Sequence, residues 1–305
     1  MGIDRRDALR LITGGGLMMG MGAAFPSLAQ AATPDLAVMT GPSIEKNVRA
    51  AIDAMGGMSK FVSKNDVVVI KPNMGFGNAP IKTTTTDPMV VKTIAVMALE
   101  AGAKRIMVCD RPCHKPKIAL QVNGIKQELS KLQDTFVYLF DDPKLFAEVS
   151  IPQGVSLKKA PIARDILESD VIINVPVAKS HGSAKVSFGM KNWMGVVNNP
   201  GSWHIKFALT QSIADIATFV KPKLTVLDAT RALVTGGPGG PGKISKLDTI
   251  VAGINPVALD AYALTLAPWG GNGYKPEEID FLVKAAKHGI GSYKLDGLNI
   301  MKKAV

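Results

Sequence analysis

The chain contains few of the residues on which several protein classes depend. It has two cysteines among 305 residues, too few for a disulfide scaffold or for the four thiolates of a typical iron–sulfur cluster. Beyond about residue 30, no apolar run approaches the roughly 20 residues that a membrane-spanning helix needs. We therefore expect no membrane span in the mature chain. Since 47% of the residues are hydrophobic, we expect a sizeable apolar core.

The beginning of the chain has the pattern of an export signal. The pair Arg5 and Arg6 precedes a weakly apolar, glycine-rich segment, and Ala29-Gln30-Ala31 offers small residues to a signal peptidase. This order predicts recognition by the twin-arginine export machinery and a periplasmic or secreted protein. The alternative is an uncleaved membrane anchor. We expect residues 1–31 to be a signal peptide and residues 32–305 to form a single domain.

Acidic side chains are outnumbered, with 25 Asp and Glu residues against 36 Lys and Arg residues and a net charge of +11. A positive surplus of this size favours anionic partners. Nucleic acid is a poor candidate, because the basic residues are scattered along the chain and the expected location lies outside the cytoplasm. We therefore expect a small anionic ligand.

Strand and helix patterns alternate along the chain. Continuous apolar strands that alternate with helices are typical of α/β proteins with a mainly parallel sheet and helices on both faces, and we predict this class. The main strand patterns lie at 66–71, 105–110, 137–140, 171–177, 224–229 and 249–255, and the main helix patterns at 88–101, 117–131, 163–169, 203–220, 256–266 and 276–288.

In such sheets, ligands bind outside the carboxyl ends of the strands. Polar side chains follow several of the predicted strand ends, although loops at strand ends are commonly polar without any function. As a set, these residues predict a ligand site at that edge of the sheet: Lys71, Asn73, Asp110, Asn174, Lys179, His181 and Asp228.

The stretch from 174 to 193, NVPVAKSHGSAKVSFGMKNW, contains lysines and a histidine but no carboxylate. Lys179 and His181 lie two residues apart and would point to the same side of an extended strand. Lysines suit an anion, and the imidazole of His181 can transfer protons near neutral pH. The alternative is a solvated basic loop, but apolar side chains alternate with the charges, which favours a packed segment.

Two further motifs have features of anion-binding sites. The run from Thr83 to Pro88 enters a predicted helix, where free N–H groups can bind an anion, although helix capping alone explains it. The run from Gly237 to Lys243 fits most of a phosphate-binding loop. Because Pro238 and Pro241 lack the necessary N–H groups, we interpret this run as a loop over the site or as a long turn.

A metal site is an alternative at Cys109, Cys113 and His114, where two thiols and an imidazole lie close in sequence. We favour a buried Cys109 and an incidental Cys113, because a lone cysteine pair is a weak signal. In the predicted helix 203–220, His204 and Asp215 share a face, and Asp215 is expected to support neighbouring structure or to lie in a solvated stripe.

Several spaced motifs occur together over most of the mature chain: Lys71-Pro72-Asn73, Thr86-Asp87-Pro88, Ser169 to Pro176, Lys179-Ser180-His181, Met190-Lys191-Asn192, Leu227-Asp228 and Asn255 to Asp260. This set resembles the DUF362 family, a domain of unknown function. Many members of that family join the domain to ferredoxin-like cluster modules, and others carry export signals. The resemblance implies an exported member without a ferredoxin module. The chain departs from the family pattern at Val177 and Ser180, where members often have lysine and threonine.

These observations predict an exported α/β protein with one anion-binding crevice, and an enzyme if a histidine acts as general acid or base. The catalytic candidates are His181, His204 and Lys179. The ligand-binding candidates are Lys71, Asn73, Thr86, Asn174, Lys191, Asn192, Asp228 and Asp260. The sequence requires no cofactor. The alternatives are a metal- or iron–sulfur-associated redox protein and a non-catalytic binding protein of the cell envelope.

Overall fold

Most strands of the central sheet form from short runs of apolar and β-branched residues. The computed structural model describes residues 33–305 except 205–207, so the predicted signal peptide lies outside the described residues. The strands described are β1 (Leu36–Thr40), β2 (Val67–Pro72), β3 (Arg105–Asp110), β4 (Thr135–Leu139), β5 (Phe146–Ser150), β6 (Lys159–Ala163), β7 (Val171–Val175), β8 (Val177–His181), β9 (Lys185–Ser187), β10 (Leu224–Leu233), β11 (Ile244–Gly253) and β12 (Ile300–Ala304).

Four of the described helices, α1, α2, α3 and α7, begin at a capping side chain or at a proline in the first turn. Asp87 caps α2 by accepting the N–H of Met89, and Asn255 accepts the N–H groups of Val257 and Ala258 at the start of α7. The helices described are α1 (Ile44–Ala54), α2 (Pro88–Glu100), α3 (Pro116–Val122), α4 (Ile125–Glu128), α5 (Arg164–Glu168), α6 (Leu209–Phe219), α7 (Pro256–Ala263) and α8 (Asp280–Lys287).

The main sheet has the strand order β12-β1-β11-β10-β7-β2-β3-β4, with β8 beside the end of β10 and β9 beside β8. From β10 to β4 every neighbouring pair is parallel, whereas β11 is antiparallel to both β10 and β1. Strands β5 and β6 form a separate antiparallel pair. The predicted mainly parallel α/β fold is therefore confirmed.

Alternate residues of the sheet enter apolar cores on its two faces. Val68 and Ile70 pack with residues of α1 and α2 on one face, whereas Val69 packs on the other face with residues of α5 and α6. This arrangement explains why the parallel strands have continuous apolar sequences. Within the described part of the chain, no helix combines the length and the apolar character that crossing a membrane requires.

The direction in which strands are added reverses between β2 and β7. Strands β3 and β4 extend the sheet on one side of β2, while β7 and β10 extend it on the other side. At such a reversal the connecting segments leave the sheet in opposite directions, and a crevice opens outside the carboxyl ends of the strands.

Four predicted elements are interrupted, and in the helix predicted over 276–288 the break lies at Ile279, with φ −93° and ψ 96°. The helix predicted over 203–220 begins only at Leu209, because Ala208 has the extended angles φ −70° and ψ 106°. Gly124, with φ 77°, separates α3 from α4 within the helix predicted over 117–131. Pro176 divides the predicted strand 171–177 between β7 and β8. His204 therefore does not share a continuous helix with Asp215, and its side chain lies outside the described residues.

Asp215 supports the fold from the buried face of α6. Its Oδ2 accepts the backbone N–H groups of Ser156 and Leu157, each at 2.8 Å. Its Oδ1 lies 2.8 Å from Gln211 Nε2 and 2.9 Å from His288 Nε2. Burial would raise the pKa of Asp215, but these hydrogen bonds outweigh burial and hold the pKa below its ordinary value. Asp215 thus supports the loop before β6, in agreement with the supporting role expected for it.

Candidate functional site

A cavity of about 280 Å³ lies outside the carboxyl ends of β2 and β3, next to the reversal of strand order. The segment after β7 forms one side of it, where β8 and β9 make an antiparallel hairpin. Lys179 and His181 alternate with Ser180 along β8 and both line the cavity. The polar residues of its wall include Lys71, Asn73, Asp110, Arg111, Lys179, His181, Lys191 and Asn192.

The floor of the cavity contains a buried ion pair. Lys71 Nζ lies 2.7 Å from Asp110 Oδ1, and it also donates to Pro72 O at 2.7 Å and to Asn192 Oδ1 at 2.8 Å. The ion pair with Asp110 and the two hydrogen bonds together hold the ammonium of Lys71 in place. Asp110 Oδ2 accepts the backbone N–H groups that follow β2, those of Met74 and Gly75. Lys71, a predicted ligand-binding residue, is therefore committed to the structure around it.

Two asparagines join the sheet to the segment that carries Lys191. Asn192 Nδ2 donates to Lys71 O at 3.1 Å and to Asn174 Oδ1 at 2.9 Å. Asn174 Nδ2 in turn donates to Gly189 O at 2.9 Å. Asn192 reaches the cavity wall, whereas Asn174 lies behind it, so this predicted ligand-binding residue has a positioning role in the structure.

Lys179 is almost fully buried, with 1% of its surface exposed, yet its ammonium contacts only neutral groups. Its Nζ donates to Thr84 O at 2.6 Å and to Asn73 Oδ1 at 3.3 Å, and it lies 4.2 Å from the ring centroid of Phe76. Burial is the largest influence on its pKa, which is lowered to about 7. Asn73 lines the cavity together with Lys179.

Lys191 is 8% exposed, and its ammonium has a weaker partner than that of Lys179. Its Nζ contacts Met194 Sδ at 3.1 Å, and a thioether is a poor hydrogen-bond acceptor. Burial lowers the pKa of Lys191 to about 8. Within the described part of the chain, neither Lys179 nor Lys191 forms an ion pair with a carboxylate.

The ring of His181 faces the same cavity as these lysines. Its Nδ1 accepts the N–H of Ala184 at 3.2 Å, which leaves the proton of the neutral ring on Nε2. The turn between β8 and β9 thereby fixes the orientation of the imidazole.

Two other predicted ligand-binding residues, Thr86 and Asp228, do not line the cavity. Thr86 Oγ1 donates to Val175 O at 2.7 Å and accepts the N–H of Asn73 at 2.9 Å. Asp228 accepts from Asp87 N at 2.8 Å and from Thr230, and burial raises its pKa to about 6. Both residues hold the loop before α2 against the sheet. In this structure both side chains have a supporting role, and their direct contact with a ligand stays a prediction.

Asp260 supports the opposite side of the cavity. Its carboxylate accepts the N–H groups of Gly189 at 2.8 Å and Met190 at 3.0 Å, immediately before the turn that carries Lys191. Burial raises the pKa of Asp260 to about 7 although both hydrogen bonds lower it. Asp260 thus fixes the backbone of the lysine-bearing segment without facing the cavity.

The predicted metal ligands do not converge. Cys109, on β3, is fully buried in an apolar core. Cys113 lies beyond the end of that strand, where it is exposed and lines the cavity. His114 Nδ1 accepts the N–H of Gly77 at 2.9 Å. Across the described residues, no group of three or more His, Cys, Asp and Glu side chains has an arrangement that could hold a metal ion.

Sequence reasoning missed several residues of the cavity wall. Arg111 directly follows β3, so the strand-end rule could have identified it, whereas the ring of Phe76 and the position of Gly195 depend on loop packing. The run from Gly237 to Lys243 contributes Pro238 to the wall, and Gly237 N donates to Ser180 Oγ at 3.0 Å. That run therefore lies at the cavity.

The fold and the cavity define an open α/β protein with a crevice at the carboxyl ends of its parallel strands. The model of the DUF362 family, a domain of unknown function, matches residues 68–265, and the chain belongs to this family. A thylakoid-associated protein of Synechocystis sp. is 28% identical over 216 residues, covering 67% of this chain. The chain covers 65% of that relative, just under two thirds of its length.

Two solved structures are similar at greater distance. The lactate racemase apoprotein from Thermoanaerobacterium thermosaccharolyticum is 14% identical, with a TM-score of 0.48 over 71% of this chain and 53% of that one. A protein from Thermotoga maritima is 15% identical, with a TM-score of 0.37 over 60% of this chain and 49% of that one. Similarities this distant give no information about the function of this chain.

Gly195 tests whether the ion pair supports the cavity. A Cβ at this position would overlap Asp110 Oδ1 and lie 2.6 Å from Lys71 Nζ. We expect Gly195→Ala to destabilise the protein by about 1–3 kcal/mol, the usual cost of overpacking. The matched control is Gly201→Ala on the same cavity wall, where the nearest atom would be 3.8 Å away. Equal urea midpoints for the two variants would contradict the prediction.

Proposed function

We propose that the chain binds a small anionic ligand in this cavity, held by Lys179 and Lys191. The observation that carries the proposal is Lys191, a buried ammonium at the cavity wall whose partner is a thioether. A buried charge costs several kcal/mol unless an opposite charge or good hydrogen bonds compensate it. An anion in the cavity would supply this compensation.

The balance of charge around the cavity supports the same proposal. Asp110 is a carboxylate on the wall, and its charge is already neutralised by Lys71 at 2.7 Å. Lys179, Lys191 and Arg111 then contribute a positive surplus. In a partly desolvated cavity this surplus is screened less than it would be at the surface, so it attracts an anion more strongly.

We further propose that the protein is an enzyme in which His181 acts as general acid or base on the bound anion. The support is positional, since the imidazole and the lysines line one cavity and Ala184 orients the ring. Lys179, with a pKa lowered to about 7, is a second group able to exchange a proton at neutral pH. No reaction is assigned.

We also propose export through the twin-arginine route, on the strength of Arg5-Arg6 and Ala29-Gln30-Ala31. The Synechocystis relative is described as thylakoid-associated. Export in a folded state would deliver the cavity to the envelope already formed.

Anion binding should stabilise the protein against heat. A ligand at 100 times its Kd contributes about 2.7 kcal/mol, and we expect a corresponding rise in melting temperature with carboxylates or phosphates. Lys179→Met and Lys191→Met should lose this rise, whereas the exposed Lys185→Met should keep it. Without anion, Lys191→Met should melt at a higher temperature than wild type, because a buried charge is removed. The expected gain in the free energy of unfolding is on the order of 1–3 kcal/mol.

Two results of that thermal-shift series would contradict the proposal. The first is a wild-type protein that responds to no carboxylate or phosphate. The second is a loss of response in Lys185→Met as large as that in Lys191→Met, which would point to non-specific attraction by surface charge.

The dependence on pH follows from the lowered lysine pKa values. The folded-state values are about 7 for Lys179 and about 8 for Lys191, below the unfolded value of 10.5, so the unfolded chain binds more protons between these limits. Stability without ligand should therefore rise between pH 7 and 10.5, while anion affinity falls as the lysines lose their charge.

The raised pKa values of Asp228 and Asp260 act in a lower window. Below pH 7 the folded state binds more protons at these carboxyls, so their contribution to stability falls as pH rises from about 4 to 7. Melting temperatures and affinities between pH 5 and 10 separate the two windows. The rise in stability above pH 7 should become smaller in Lys179→Met and Lys191→Met. An anion affinity that increases with pH would contradict the role of these lysines in binding.

Export is tested by changing both arginines of the pair to lysine. The wild-type chain should appear outside the cytoplasm, shortened by about 31 residues, when cell fractions are analysed by mass spectrometry. The doubly substituted chain should stay in the cytoplasm at full length. Equal distribution of the two chains would show that the arginine pair does not direct export.

A further inference from the structure

Two cations at the cavity have hydrogen-bonding capacity that the protein leaves unused. Arg111 Nε is buried and, among the described residues, has no hydrogen-bond partner, while its Nη1 reaches Pro112 O only at 3.5 Å. A guanidinium carries five N–H donors in a planar fork that suits the paired oxygens of a carboxylate or phosphate. Lys191 has three N–H donors and contacts one sulfur.

The number of charges adds to this observation. After Lys71 and Asp110 cancel each other, Lys179, Lys191 and Arg111 remain around one cavity. When all three side chains are protonated, a single negative charge would leave two positive charges uncompensated in a partly desolvated space, where repulsion is stronger than in water. Two or more negative charges would remove most of that repulsion.

We propose that the ligand of this cavity carries at least two negative charges on oxygen atoms, as in a dicarboxylate or a phosphorylated small acid. This inference rests on the proposed anion binding and makes it more specific. The common chemistry is a dianionic set of oxygens that accepts hydrogen bonds from Arg111, Lys179 and Lys191.

The size and the remaining wall of the cavity restrict the carbon skeleton. Pockets for drug-sized ligands span roughly 300–1,000 Å³, and this cavity of about 280 Å³ lies below that range. Apolar groups of Phe76, Met194 and Pro238 complete its wall. The ligand is therefore compact, with a short skeleton against these side chains and its oxygens toward the cations.

Matched pairs of probes test the number of charges. Isothermal titration calorimetry of the full chain at pH 7 and constant ionic strength would compare succinate with butyrate, and 2-phosphoglycolate with glycolate. Within at least one pair, the member with two or more negative charges, called the dianion below, should bind about tenfold more tightly or better, a difference of about 1.4 kcal/mol. The pair that shows the larger difference distinguishes a dicarboxylate from a phosphorylated ligand.

Substitutions test whether the advantage comes from these cations. Arg111→Met and Lys191→Met should each reduce the advantage of the dianion to less than about threefold, while Lys185→Met should preserve it. Circular dichroism confirms that each variant is folded, and either substitution alone suffices if the other variant does not fold. A folded Arg111→Met or Lys191→Met variant that keeps the full advantage would overturn the inference.

The wild-type titrations separate this inference from the proposed function. If monoanions and dianions bind with equal affinity, the cavity binds anions but the inferred ligand class is wrong. If no probe of either pair binds, both the inference and the proposed anion binding are overturned.

Discussion

The ion pair between Lys71 and Asp110 is the interaction on which the arrangement of the cavity depends. It joins the carboxyl ends of two adjacent parallel strands, and its two partners also bind the backbone after β2 and the side chain of Asn192. Removing one member of a buried pair typically costs about 3–5 kcal/mol, because the other charge is left uncompensated. Here such a loss would also release the segments that carry the remaining cations.

Lysine has two different roles around the same cavity. Lys71 has a carboxylate as its ion-pair partner and donates to two oxygens, and it is part of the structure. Lys191 has a thioether and Lys179 has neutral oxygens and an aromatic ring, so their charges are not balanced within the described protein. The partners of each ammonium, more than its burial, therefore separate a structural lysine from a candidate ligand-binding lysine.

The sequence predicted the α/β class and several strands closely, because buried parallel strands leave continuous apolar runs. The strand-end rule also predicted that Lys71, Asn73 and Lys179 would lie near one another, since parallel strands end at a common edge. It could not separate the cavity wall from the residues behind it. Asn174, Asp228 and Asp260 have the same polar character as wall residues, and only their hydrogen-bond partners reveal that they position loops.

Other differences have local causes that the sequence pattern conceals. A helical pattern continued through Ala208, where the backbone is extended, and an apolar strand pattern continued through Pro176, where the chain passes from one strand to the next. Arg111 was missed although it directly follows β3, whereas Phe76 belongs to no motif with a recognised spacing. Their place at the cavity depends on how separate loops pack.

The hydrogen bond from Gly237 N to Ser180 Oγ couples two parts of the cavity wall mechanically. Ser180 lies between Lys179 and His181 on β8, and the backbone of Gly237 packs so closely on Ser180 O that a Cβ would overlap it. The loop that bears Pro238 therefore cannot shift independently of the strand that bears the lysine and the histidine. A change in the width of the cavity entrance would therefore also move the side chains of Lys179 and His181.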